Sequence, residues 1–278
     1  MLTNAMTVDV EDYFQVSAFE RYIKREDWDN IPCRVEMSTN RVLDLFADAG
    51  VKATFFTLGW VAERYPQLVR RIVEEGHELA SHGLGHVRVT QQTPDEFRED
   101  VTKTKAMLED LSGQVIKGYR AASYSINKDN LWALDILAET GHIYSSSIYP
   151  IVHDLYGIPD APRFRYYPRD HKNIVELPVT TVEVLGRKFP CGGGGYFRLY
   201  PYALSKRAIQ RVNNKDKQSG MFYFHPWEID PEQPRQEGID LKTKTRHYMN
   251  LEKMEGRLTR LLRDFSWGRM DDVFLNES

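Results

Sequence analysis

Apolar residues recur along this chain with two alternating periods. AMTVDV (5–10) and KATFFTL (52–58) are short apolar runs of strand character. Between them, STNRVLDLFADAG (38–50) sets Val42, Leu43, Leu45 and Phe46 at helical spacing, with Ser38 or Thr39 able to cap and Gly50 to stop the helix. YPQLVRRIVEEGH (65–77) predicts a helix ending at Gly76, and ELAS (78–81) a brief strand leading to His82. The clearest helix is TPDEFREDVTKTKAMLEDLSG (93–113). Thr93 caps it, Pro94 takes the first helical position, Glu96 completes a capping box, and Phe97, Val101, Leu108 and Leu111 form one stripe before Gly113. KGYRAAS (117–123) reads as strand and KDNLWALDILAETG (128–141) as helix. Strands alternating with helices of this length predict βα units around a parallel sheet or barrel.

From about residue 149 the pattern changes. YPIVHDLYGIPDAPRFRYYPRDHKN (149–173) has four prolines and little periodicity, so 149–172 is expected to shape a groove or cover it. NIVELPVTTVEVLG (173–186) predicts one or two strands. CGGGGYFRLYP (191–201) carries four successive glycines without the Lys-Ser/Thr of a phosphate loop, so backbone there is expected to pass close to a ligand or a neighbouring segment. A helix at 202–213, the strand GMFYFH (220–225) and a C-terminal helix carrying Leu251, Met254, Leu258, Leu261 and Leu262 complete the chain. No repeat or linker interrupts it, and one domain over 1–278, elaborated from about 149 onward, is expected.

Composition narrows the function classes. The 37 basic and 40 acidic residues nearly balance, which argues against a nucleic-acid partner. No run approaches the ~18 apolar residues of a membrane span. Without a visible signal peptide, the expected location is cytoplasmic, and Cys33 and Cys191, far apart, are expected to be reduced structural thiols.

The candidate chemistry sits at predicted strand ends. TVDVEDYF (7–14) places Asp9, Glu11 and Asp12 within four positions, and like charges there call for a cation or for solvent. SHGLGHV gives His82 and His86, which converge on one side of a helix or on a loop after a strand; Gly83 in place of Glu excludes the HExxH protease pattern. Two histidines and a carboxylate with an open position suit a hydrolytic divalent metal. In a barrel, both groups would meet at the C-terminal rim; the alternative is separate solvated charges. His225, in FHPWE, is a candidate general acid or base, and Arg120, in GYRAASYS, a candidate partner for a carboxylate base.

TVDVED, SHGLGH, GYRAASYS and FHPWE, in this order, resemble the motifs of NodB-type polysaccharide deacetylases, carbohydrate esterase family four. The strings DVEDYF, TFFTLGWVAERYP, HDLYGIPDAPRF, GGGYFRLYPYAL and FYFHPWEIDPEQPR resemble the subgroup found with exosortase/PEP-CTERM exopolysaccharide loci. The resemblance implies a distorted (β/α) barrel of about seven strands, an N-acetylated glycan substrate and a divalent metal, Zn²⁺. It implies Asp9 as general base, His82 and His86 as metal ligands, Arg120 as the group that positions the base, and His225 as general acid. The family's carboxylate ligand usually follows the base directly, where this chain has Val10. In the family's branch with Asp-x-Asp the ligand is two positions on, here Glu11, and strand alternation supports this because residues 9 and 11 share a face; Asp12 is the alternative if the chain bends early. Ser123 or Tyr124 would supply an oxyanion-binding amide. Independently of the resemblance, the aromatic supply, including Tyr13, Phe14, Tyr196, Phe197 and Trp227, suits either a sugar platform or plain core. Two departures bear on activity: Ala122 stands where the family has proline, and Ser145 where subgroup relatives have an aspartate that helps fix the arginine. An allantoinase-like cyclic amide hydrolase and a catalytically impaired glycan-binding homologue are the alternatives.

Overall fold

The computed structural model describes residues 2–153, 156–168 and 173–275. Strand β1 (Thr3–Val10) is its axis, buried at every residue after Thr3. It pairs in parallel with β2 (Thr54–Thr57), which leads through β3 (Glu78–Ser81), β4 (Gly118–Tyr119) and β5 (Tyr144–Ser145) to β6 (Val175–Glu176), every neighbouring pair parallel. β7 (Thr181–Val184) and β8 (Arg187–Pro190) form a separate antiparallel hairpin. β9 (Met221–Phe224) then returns to pair with β1, and β10 (Ser266–Gly268) pairs with the first residues of β1. The main sheet β6-β5-β4-β3-β2-β1-β9 is thus a curled parallel sheet of seven strands forming a half-barrel, as expected, and β10 is an addition that periodicity had not shown.

The first half of the chain covers this sheet with α1 (Val35–Ala49), α2 (Gly59–Arg64), α3 (Pro66–Glu74), α4 (Pro94–Ser112) and α5 (Trp132–Glu139). The second half adds α6 (Gly194–Leu199), α7 (Tyr202–Arg211), α8 (Leu241–Tyr248), α9 (Leu251–Asp264) and α10 (Met270–Phe274). Helix α4 forms as the residues dictate, with both arms of the Thr93–Glu96 capping box made and Gly113 left-handed at φ +66°. All five residues of the predicted α9 stripe are buried.

Helix α1 departs from expectation. It begins at Val35, so Ser38 and Thr39 lie buried inside it rather than capping it. Its cap comes from a distance: one Asp12 carboxylate oxygen accepts the N–H groups of Arg34 and Val35 at 2.7 and 2.9 Å. The strand expected over 117–123 stops at Tyr119, beyond which Ser123 and Tyr124 take left-handed backbone. Of the irregular 149–172 segment, residues 154–155 and 169–172 lie outside those described.

The glycine run is explained by a neighbouring segment. A Cβ on Gly192 would lie 2.5 Å from the Met221 carbonyl oxygen, one on Gly193 2.7 Å from the Tyr223 ring, and one on Gly194 would collide with the Glu228 carboxylate. The run lets α6 press against β9 and the turn after it. Gly195 is different, since a Cβ there meets nothing within 4 Å. Gly194→Ala should therefore cost about 1–3 kcal/mol of stability through overpacking, whereas Gly195→Ala should gain about 0.5–1 kcal/mol. Urea unfolding of the two variants checks this contrast.

Candidate active site

Because neighbouring strands of the main sheet run parallel, their C-terminal ends share one rim. Glu11, His82, Arg120, Ser146 and His225 are each the first residue beyond β1, β3, β4, β5 and β9, and Asp9 is the last but one of β1. Backbone bonds carry the sheet pairing on into these positions: His82 N–H donates to Thr57 O at 3.1 Å, Arg120 N–H to Ser81 O and Ser146 N–H to Tyr119 O, both at 2.9 Å.

Asp9 faces inward and is only 2 % exposed. Its Oδ1 accepts from Arg120 Nη1 at 2.5 Å. The wholly buried Arg120 is itself fixed by Thr7 Oγ1 at 2.9 Å and Ser146 Oγ at 3.1 Å, with its guanidinium 3.9 Å from the centre of the Phe56 ring.

Glu11 turns to the same side, as alternation along the strand suggested. Its Oε1 is 3.2 Å from His225 Nε2 and its Oε2 is 2.9 Å from His86 Nε2. Burial would raise its pKa, but the facing His86, His225 and His82 hold it down at about 2. The SHGLGH segment is a loop rather than a helix, so His82 and His86 converge through backbone turns: Gly83 is at φ +77° and His86 at φ +54°. Arg25 clamps that loop by donating to the carbonyls of Gly85 and His86 at 2.8 and 3.0 Å.

The donor set fits a divalent cation. One ligand atom each from Glu11, His82 and His86 lies within 4.8 Å of the others, the one such group among the described residues. Glu11 Oε2 is buried and faces His86 Nε2, so these two ligand atoms already point at one another. His82 Nδ1 lies 2.8 Å from the Arg120 carbonyl oxygen; a carbonyl can only accept, so Nδ1 carries the proton and Nε2 presents its lone pair. Burial lowers the His82 pKa to about 4, which keeps the ring neutral as a ligand must be.

Asp12, the alternative ligand, is committed elsewhere. Besides the two N–H groups of α1 it accepts that of Tyr13 at 2.8 Å, so its carboxylate serves the helix start and not the histidine cluster.

His225 stands across the cleft. Its Nδ1 donates to Glu228 Oε1 at 2.9 Å, which leaves Nε2 toward Glu11 and, at 4.0 Å, Asp9. Burial works against the imidazolium, but Glu11 and Glu228 raise its pKa to about 9. Glu228 is held at about 2, against its burial, by Arg198 and His225, and Arg198 Nε donates to its other oxygen at 2.7 Å. The sequence reading missed this buried Arg198–Glu228–His225 relay. Its one local signal is Glu228, three residues after His225, at capping-box spacing. Trp227 stacks between His225 and His247, with ring centroids 5.2 and 4.2 Å away.

Asp9, Glu11, His82, His86 and His225 line a cleft of about 210 Å³ together with Ser123, Tyr124, Tyr156 and Trp227. A larger cavity of about 450 Å³, beside Leu2, Arg163 and Lys217, contains none of the candidate residues, so chemistry rather than size singles out the smaller cleft. Tyr124 N–H is taken by Ala121 O at 3.0 Å, and Ser123 Oγ is 2.5 Å from Ser17 Oγ. Tyr196 is not in this cleft but in an adjoining one. Tyr13, Phe14 and Phe197 are core residues, not a platform.

Where a carboxylate was expected at 145, the serine lies opposite Glu176 on the next strand. Glu176 Oε1 accepts the N–H groups of Ser147 and Ile148 at 2.8 Å each, and so fixes the loop whose Ser146 holds Arg120. A buried carboxyl is therefore supplied from β6.

Residues 27–142 match the polysaccharide deacetylase family model, and residues 146–275 match a domain of unknown function (DUF3473). A peptidoglycan-N-acetylglucosamine deacetylase of Bacillus cereus is 37% identical over 98 residues, 35% of this chain and 36% of that protein. A chitooligosaccharide deacetylase of a Bradyrhizobium species is 32% identical over 117 residues, 42% of this chain and 49% of that protein. The matched stretches thus span about a third to a half of these relatives' length. A Mycobacterium smegmatis protein, whose crystal structure is described under the polysaccharide deacetylase name, superposes with a TM-score of 0.62 at 18% identity, covering 98% of this chain and 88% of that one. Residues 27–142 are thus similar in sequence to polysaccharide deacetylases, and the fold of the chain is of the NodB or carbohydrate esterase family four type. The matched region holds His82, His86 and Arg120, while Asp9, Glu11 and His225 lie outside it and reach them through the fold.

Two predictions follow from this geometry. Asp12→Ala should keep metal affinity while costing about 1 kcal/mol for the lost helix cap, whereas Glu11→Gln should lose the metal; zinc titration and urea unfolding read the two effects. The second concerns Glu176, whose pKa burial raises from 4.5 to about 7. The folded chain holds that proton more tightly than the unfolded one. The contribution to stability is therefore full below pH 4.5 and is lost as pH rises through 7. The unfolding midpoint of Glu176→Gln should gain on the wild type between pH 5 and pH 8; parallel pH curves would contradict this.

Proposed function

We propose that this chain is a metal-dependent hydrolase that removes N-acetyl groups from an amino-sugar oligosaccharide or polysaccharide. The observation that carries this reading is the meeting, on one rim, of the Glu11–His82–His86 donor set with an arginine-held carboxylate and a carboxylate-held imidazole. Residues from both halves of the chain contribute, so we treat 1–278 as one functional unit. The string resemblances point to exopolysaccharide or cell-wall glycan metabolism as the setting. Among the described residues, no helix is long and apolar enough to cross a membrane.

In this reading Glu11, His82 and His86 hold a divalent ion, and two nitrogens with one carboxylate oxygen suit zinc. When bound, the ion would acidify water and polarise the acetamide carbonyl. Asp9, kept in place by Arg120, accepts the proton of the attacking water. The carbon–oxygen bond forms as the carbonyl becomes tetrahedral. Of the two expected oxyanion amides, that of Tyr124 is already donated to Ala121, which favours Ser123 N–H. His225 then gives the Nε2 proton to the departing nitrogen as the carbon–nitrogen bond breaks, and Glu228 stabilises the imidazolium beforehand. The products are acetate and a free amine.

The test is acetate release from N-acetylglucosamine oligomers by zinc-loaded protein, with allantoin as a parallel substrate. His82→Ala should lose both metal and turnover. His225→Ala should keep metal and lose about 10²–10⁴-fold in kcat. Chelation should abolish turnover and zinc restore it. Full activity after chelation, or turnover of allantoin alone, would overturn the proposal.

A further inference from the structure

The β7–β8 hairpin ends in a turn that folding preference alone does not explain. Val184 pairs with Arg187, so Leu185 and Gly186 are the two central residues, and both have positive φ, +51° and +72°. Turns of this kind favour Asn-Gly, because asparagine tolerates left-handed backbone and is at home in water. This chain has leucine there, 97 % exposed. The position carries two costs at once, a left-handed backbone and an apolar side chain in water. At that exposure, packing within the chain offsets neither. Val184 and Phe189, also exposed, extend the apolar surface back from the tip.

The base of the hairpin is held firmly. Val182 and Cys191 are buried with Val212 in a small apolar cluster. Arg211 Nε donates to the Glu183 carbonyl oxygen at 3.0 Å, and Lys188 Nζ donates to those of Pro159 and Ala161 at 2.7 and 2.8 Å. The leucine therefore projects from a fixed base.

The charge around the tip indicates what it meets. The whole chain has a net charge of −3, yet residues 181–190 hold Arg187 and Lys188 against one acid, Glu183. On α7, Arg211 touches the hairpin backbone, and Arg207, exposed one turn earlier, lies on the same helix face. An apolar point backed by a basic collar matches an anionic bilayer layer for layer, with acyl chains beneath a sheet of phosphate charge. The long arginine and lysine stems suit that boundary, since they lie along apolar surface while their heads stay in water. A groove on a protein would cover the leucine, but four spread cations match a sheet of charge better than a single pocket.

We propose that the β7–β8 hairpin seats this protein on an anionic lipid surface, with Leu185 inserted at the headgroup boundary and Arg187, Lys188, Arg207 and Arg211 toward the phosphates. This is attachment to one leaflet and not a span. Nothing in it depends on the deacetylase chemistry.

Cosedimentation of the full chain with vesicles tests it, using phosphatidylcholine alone and an equal mixture of phosphatidylcholine and phosphatidylglycerol. The wild type should partition onto the mixed vesicles far more than onto the neutral ones, and less as salt is raised. Leu185→Asn should lower the partition coefficient onto mixed vesicles about tenfold, the worth of burying one leucine side chain. The same variant should raise the thermal midpoint, because Asn-Gly suits the turn, so unfolding does not account for its lost binding. Arg187→Glu combined with Arg207→Glu should cost about tenfold or more at low salt, and the difference from the wild type should shrink at high salt. No binding to mixed vesicles would overturn the proposal, as would equal partition of Leu185→Asn and the wild type. So would lipid-free self-association, seen by sedimentation velocity, that Leu185→Asn abolishes, since a second copy would then cover the tip.

Discussion

Three carboxylates leave β1 within four residues, and burial leaves them at most 2 % exposed. A carboxylate in such a place is stable only if positive charge or hydrogen-bond donors replace water. Each of the three is answered differently. Asp9 has the Arg120 guanidinium, Glu11 faces three imidazoles, and Asp12 caps the positive end of α1. This division fixes much of the molecule. It ties β1 to β4, to the loop after β3, to the turn after β9 and to the first helix. The cluster that looks least stable in the sequence is thus the point where these elements are joined.

The same requirement shapes the second half of the chain. His225 balances Glu11 because β9 returns beside β1, and α6 approaches the turn after β9 closely enough for Arg198 to meet Glu228. Gly192, Gly193 and Gly194 give that approach, since a Cβ on any of them would strike Met221, Tyr223 or Glu228. Arg198 then bonds the carbonyls of His247 and Met249 at 2.9 and 2.8 Å, which seats the end of α8 against Trp227. A buried ion pair contributes little net stability by itself. Here its consequence is position: it orients the imidazole on the rim and aligns the aromatic wall beside it.

Much of this was legible from residues. The α4 capping box and the α9 stripe follow from local preference and periodicity, which tertiary contacts there merely reinforce. The rim was legible because chemistry-bearing residues stood at the ends of apolar runs, and parallel pairing does the rest. Alternation puts Glu11 on the face of Asp9, and in the structure Glu11 faces the histidines while Asp12 turns to the start of α1. What was not legible depends on partners distant in sequence. The α1 cap is Asp12, more than twenty residues earlier, so the nearer Ser38 and Thr39 misled. Arg198 is thirty positions from Glu228, and nothing in a linear pattern pairs them. Glu176 meets Ser145 through strand register, which a two-residue strand cannot signal.

The remaining misreadings fall where the backbone itself is constrained. His86, Ser123 and Tyr124 are three of the six non-glycine residues with positive φ among those described, and all three line the candidate cleft. Each such conformation costs on the order of 1–2 kcal/mol for an ordinary side chain. The chain meets that cost with rigid surroundings: Arg25 on the loop that ends in His86, and the Glu176-held serine loop beneath Arg120, whose Ser147 Oγ accepts Ala121 N–H at 2.9 Å. Residue preference predicted strand through 123 because it reads the cheapest local backbone. The structure instead spends local stability to turn Ser123 and Tyr124 toward the same space as His86. Backbone strain retained on several loops around one cleft is what a preorganised site requires, because the groups are then already placed when the substrate arrives.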